Sequence, residues 1–145
     1  MPEFKGVSHI DLTVRDPDRS AAWYEQVLGM RRIAENSEDE PATSGVARVV
    51  NLMHPSGFVL GLIRHQSGND EEFSEFQVGL DHLALAVASR GELENWVEHL
   101  DGCGVQHSGI SDPVYSGISD NWSTSVLVFR DPDNIQLELM FAQFG

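Results

Sequence analysis

Cysteine and lysine are almost missing from this chain of 145 residues, and no apolar run is long enough to cross a bilayer. Cys103 is the only cysteine, which excludes an internal disulfide framework and any multi-cysteine zinc site and fits a reducing compartment. Between Gly102 and Gly104 it reads as a small packed residue, not a nucleophile. Lys5 is the only lysine, and 9 bases against 23 acids give a formal charge of −14, which opposes a phosphate backbone and excludes nucleic acid as a partner. Residues 1–5 carry neither the basic start nor the apolar block of a secretory signal, so the expected location is cytoplasmic, with no membrane partner. Acidic clusters at 35–40 and 70–75 read as solvated loops.

What the chain does contain is a repeat. Val7-Ser8-His9-Ile10-Asp11-Leu12-Thr13-Val14 is echoed by Leu80-Asp81-His82-Leu83-Ala84-Leu85-Ala86-Val87, and each copy leads into a helix-like segment. The ends match too: His54-Pro55-Ser56-Gly57-Phe58-Val59-Leu60-Gly61-Leu62 aligns with Asp131-Pro132-Asp133-Asn134-Ile135-Gln136-Leu137-Glu138-Leu139. Two copies are too few for a solenoid and imply two half-units that complete each other's core. Each half reads as βαβββ. The first has strands at 7–14, 31–34, 46–53 and 57–64 and a helix opened by Pro17 and stopped by Gly29. The second has strands near 80–88, 105–109, 123–130 and 134–141 and a helix over 92–100. The expected class is α+β: one domain made of modules 6–65 and 79–142, joined by a linker at 66–78. A long loop at 110–122 is of the kind that carries function.

Alternation along the strands sorts the side chains. Ile10, Leu12 and Val14 share one face, as do Leu83, Leu85 and Val87, and Ile135, Leu137 and Leu139. The other face collects His9, His82 and Glu138. Two neutral imidazoles and a carboxylate form a facial set suited to one divalent Fe, Mn, Ni, Co or Zn ion, with positions left open for substrate or water.

At these residues the chain resembles the vicinal oxygen chelate superfamily, which includes glyoxalase I, methylmalonyl-CoA epimerase, extradiol dioxygenases, and fosfomycin-resistance and bleomycin-binding proteins. The resemblance runs from Gly6 to Phe141, strongest over Ser8 to Met30 and over Asp131 to Glu138. It implies two βαβββ modules with curled sheets around a cleft, and metal ligands at His9, His82 and Glu138. It also implies departures. The four-ligand isomerases carry Glu or Gln where the repeat places Gly61. The extradiol pattern expects a Tyr where Val128 stands and a His a little before it, where Ser119-Asp120-Asn121 stands. Fosfomycin-type enzymes need a cationic pocket, and lysine is nearly absent. The resemblance therefore implies a metal-dependent enzyme of lyase, isomerase or dioxygenase type, acting on a small molecule that chelates the ion through vicinal oxygens. The alternatives are a metal-free small-molecule (antibiotic) binding and resistance protein, and a diverged interaction module.

Further substrate-contact candidates are Arg48 or Asn51, which lie on opposite faces of the third strand, His65 at the end of the fourth, and Tyr115 and Trp122 in the long loop. His54 reads as a turn residue, His99 and His107 as solvated. Small members of the family pair around a two-fold axis, so the expected assembly is a homodimer; whether the site forms within one chain or across two stays open.

Overall fold

The computed structural model describes residues 1–37, 45–113 and 122–144. The sequence repeat becomes two compact units, Met1–Glu71 and Glu72–Gly145. The first runs β1 (Ile10–Thr13), α1 (Pro17–Leu28), β2 (Arg31–Glu35), β3 (Val46–Met53) and β4 (Val59–His65); the second runs β5 (Leu83–Ala86), α2 (Arg90–Gly102), β6 (His107–Ser111), β7 (Trp122–Arg130) and β8 (Gln136–Phe144). The sheets have orders β1-β4-β3-β2 and β5-β8-β7-β6. In each, the first strand runs parallel to the last and the remaining pairs are antiparallel. This is the α+β, twice-βαβββ architecture expected from the repeat.

Local chemistry explains the elements. Asp16 caps α1 by accepting from the amides of Asp18 and Arg19, Pro17 occupies the first turn where its missing N–H costs nothing, and Gly29 ends the helix at φ 65. Buried Pro17, Ser20, Ala21, Tyr24, Val27 and Leu28 recur at helical spacing and turn one face of α1 onto β3 and β4. Ser89 caps α2 through the Glu92 amide, and Leu93 and Leu100 anchor it on the second sheet. Each fully buried leucine contributes about 1.5–3 kcal/mol.

The last hairpin of each unit closes on a matched turn. Asp131 Oδ1 accepts from the amides of Asp133 (2.8 Å) and Ile135 (2.9 Å), and Asn134 takes the left-handed conformation, φ 66. In the first unit His54 Nδ1 accepts from the Ser56 amide at 3.1 Å, and Gly57 takes the left-handed place at φ 90. The imidazole thus does the work of the aspartate in its sister turn. Behind these turns the helix side of each sheet is apolar: Leu12, Val50, Leu52, Leu60 and Leu62 in one, Leu127, Phe129, Leu137 and Leu139 in the other. Alternation sends the chemistry-bearing residues to the opposite, helix-free face.

Candidate functional site

In the second unit, β8 holds Glu138 on the helix-free face, in register between Ala84 of β5 and Val128 of β7. Neither neighbour offers a hydrogen-bond donor. The Glu138 side chain is only 13% exposed, and its one basic neighbour among the described residues is the His82 imidazole, whose Nε2 lies 4.0 Å from Oε1. A carboxylate withdrawn from water without a donor or a cation is costly. His82, one residue ahead of β5, has its Nδ1 2.6 Å from Asp81 Oδ1. A carboxylate on Nδ1 with Nε2 on the Glu138 side is the arrangement in which an outer carboxylate orients a metal-ligating imidazole. A gap of 4.0 Å is too long for a hydrogen bond. Two ligands of one ion at about 2.1 Å each, at right angles, stand about 3 Å apart, so a small rotamer change closes the pair on a cation. The donor set and its shortage of positive charge fit a divalent ion.

The first unit repeats the position of the histidine but not the burial of the carboxylate. His9 precedes β1, with Nδ1 3.2 Å from Ser8 Oγ and Nε2 3.7 Å from Asp11 Oδ2. Asp11, Gly61 and Asn51 form one row across β1, β4 and β3. The Asp11 carboxylate lies over Gly61, with Asn51 Oδ1 on its other side. Gly61 has the register of Glu138, just as the repeat placed it.

Among the described residues no group of three or more His, Cys, Asp and Glu side chains converges. The structure brings His82 to Glu138, and His9 to Asp11. Arg48 is drawn to the α1 side: its Nε and Nη2 grip Asp18 at 3.0 and 2.9 Å, Nη2 reaches Glu35 at 2.5 Å, and Nη1 donates to the Asn36 carbonyl. The Arg48 hydrogen bond holds the Asp18 carboxyl below its usual range against the opposing effect of burial. Asn51 is the one of the two candidates on the Gly61 face. His65 ends β4, exposed, on that face by alternation. Tyr115 and the Trp122 side chain lie outside what is described.

Three features escaped the sequence. His107 is not solvated: its side chain is 13% exposed, with Nε2 3.0 Å from Asp101 and Nδ1 accepting from the Gly109 amide. Glu75, which the acidic cluster predicts to be a solvated loop acid, accepts from Arg130 Nη1 and Nη2 at 3.1 and 2.8 Å, and this hydrogen bonding lowers its carboxyl from the ordinary 4.5 to about 2. Asp11 and Asp81 were legible only as acids close to each histidine.

Comparison with known proteins gives a consistent result. The sequence model of the Glyoxalase/Bleomycin resistance protein/Dioxygenase superfamily matches residues 6–139. The uncharacterized protein YwkD of Bacillus subtilis (strain 168) is 26% identical over 135 residues, 93% of this chain and 95% of that protein. The crystal structure of a glyoxylase/bleomycin resistance protein/dioxygenase domain from Frankia sp. EAN1pec superposes with a TM-score of 0.81 at 30% identity, covering 99% of this chain and 96% of that one. The fosfomycin resistance protein FosX from Listeria monocytogenes, solved with Mn(II) and sulfate, shares the fold at a TM-score of 0.64 and 18% identity, covering 98% of this chain and 96% of that one.

Proposed function

The chain belongs to the Glyoxalase/Bleomycin resistance protein/Dioxygenase superfamily, and on that premise we propose that it is a metal-dependent enzyme of lyase, isomerase or dioxygenase type whose small-molecule substrate chelates the ion through vicinal oxygens. The observation that carries this reading is Glu138: a mostly buried carboxylate whose one basic neighbour among the described residues is His82, an imidazole whose other nitrogen is held by Asp81. His9, His82 and Glu138 are the proposed ligands, with His9 coming from the same chain or from a second copy in a homodimer. These residues would hold the ion, which would supply Lewis-acid polarisation to the adjacent oxygens of the substrate. The chain's own groups set the conditions: Asp81 fixes the His82 tautomer, and Ala84 and Val128 keep the surroundings of Glu138 poor in competing donors.

The arginines narrow the substrate. Arg130 is on the Glu138 face but is occupied by Glu75 and by Gln136 Oε1 at 2.9 Å, Arg48 is occupied by Asp18 and Glu35, and Arg64 by Asp70 and the Arg15 carbonyl. Guanidinium groups already neutralised by carboxylates favour a substrate of low negative charge over a phosphonate. Among the described residues no helix is long and apolar enough to cross a membrane, and the proposed compartment is the cytoplasm. Mn(II), present in the FosX structure, is the first ion to test. His82→Ala should abolish one-to-one uptake of the ion while circular dichroism stays unchanged; uptake equal to that of the unaltered protein would remove the proposal.

A further inference from the structure

The two modules place their carboxylates differently. In the second, the row across β5 and β8 is Ala84 beside Glu138; in the first, the equivalent row across β1 and β4 is Asp11 beside Gly61. Each row holds one carboxylate and one small residue, with the strands exchanged. We propose that Asp11 supplies the ligand oxygen that the first module lacks at position 61, reaching over Gly61 from the neighbouring strand to join His9 on the ion. This rests on the metal-dependent reading above.

Three observations support the exchange. Gly61 does not have a positive φ, so its backbone does not call for glycine; what the missing side chain supplies is room. A Cβ there would overlap Asp11 Oδ1 and come within 3.2 Å of Asn51 Oδ1. The first side-chain atom of any other residue at 61 would therefore meet the Asp11 carboxylate, which occupies that place beside β4. Next, each histidine has a carboxylate oxygen near its Nε2, at 3.7 Å for Asp11 two residues on from His9 and at 4.0 Å for Glu138 across from His82. Finally, Asp11 has no other hydrogen bond or ion pair among the described residues, so no structural role competes for its carboxylate. Aspartate is one methylene shorter than glutamate, and leaning across from the adjacent strand brings its oxygen to the same row.

The test is titration of the whole chain with Mn(II), reading the free ion by electron paramagnetic resonance and the fold by circular dichroism. Asp11→Asn keeps shape and removes the charge, and should weaken binding about tenfold or more with the unfolding midpoint unchanged. Gly61→Ala leaves the carboxylate in place but crowds it aside, and should also weaken binding. Asp11→Ala with Gly61→Glu moves the carboxylate to the β4 position and should bind more tightly than Asp11→Ala alone. The inference is overturned, with the metal-dependent reading intact, if the unaltered protein binds one ion and Asp11→Asn binds it equally well, or if the double variant gives no recovery. Should Asp11→Asn fail to fold, unchanged affinity in Gly61→Ala overturns it in the same way. An unaltered protein that binds no ion overturns both.

Discussion

Replacing Glu138 by Gln should move stability in opposite directions depending on whether an ion is present. The side chain is 13% exposed, lies between Ala84 and Val128, and among the described residues has only His82 opposite, at 4.0 Å. Without metal, the carboxylate is largely withdrawn from water with only the His82 imidazole opposite it among the described residues, and a buried polar group left unsatisfied costs up to about 1–3 kcal/mol. The neutral amide should leave the metal-free fold equally stable or about 1 kcal/mol more stable, a rise of about 2–4 °C for a chain of this size. An ion at a hundred times its dissociation constant should add about 2.7 kcal/mol to the unaltered protein, or roughly 5–10 °C. The variant, binding at least tenfold more weakly, should lose about half of that gain or more. Thermal unfolding followed by circular dichroism, once in chelator and once in Mn(II), gives both values. If Glu138→Gln were clearly less stable than the parent in chelator, the protein itself would be satisfying the carboxylate, and the case for a cation would fail.

Two other expectations concern regions away from the ligands. The Glu75 carboxyl is lowered from 4.5 to about 2 by its hydrogen bonds with Arg130, so its contribution is complete above about pH 4.5 and is lost as pH falls towards 2. Glu75→Gln should flatten the fall of the unfolding midpoint across that window and leave neutral pH nearly unaffected; parallel curves for the two proteins would show that the pair does not govern acid sensitivity. If the chain forms the proposed homodimer, light scattering at micromolar concentration and moderate salt should give twice the 16.1 kDa chain mass, and a monomeric mass would count against the dimer.

The repeat made the fold legible because β1 and β5 carry the same alternation and both last hairpins carry the same turn pattern, and these signals do not depend on tertiary contacts. It also aligned Gly61 with Glu138, and the register confirms this equivalence. Strand ends were less legible. Alternation predicts first strands at 7–14 and 80–88, yet β1 and β5 span only Ile10–Thr13 and Leu83–Ala86, which leaves His9 and His82 just before the paired residues. Pairing is set by the partner strand, and periodicity alone does not reveal it. Arg48 and Asn51 could not be ranked from alternation, since that gives opposite faces without saying which carries the helix; Asp18 of α1 settles the direction of Arg48. Asp11 was visible as a polar-face residue, but its reach over Gly61 follows from the parallel pairing of β1 with β4, two strands separated by most of the module.

The most direct test of the central claim is to count metal on protein purified without a histidine tag. After treatment with chelator and dialysis, the chain should be titrated separately with Mn(II), Fe(II), Co(II), Ni(II) and Zn(II), and bound ion per chain measured by elemental analysis. At least one of these should bind saturably at one ion per chain, and Glu138→Gln and His82→Ala should each lose it. Failure of all five to bind at that stoichiometry, or binding that survives both substitutions, would contradict the account.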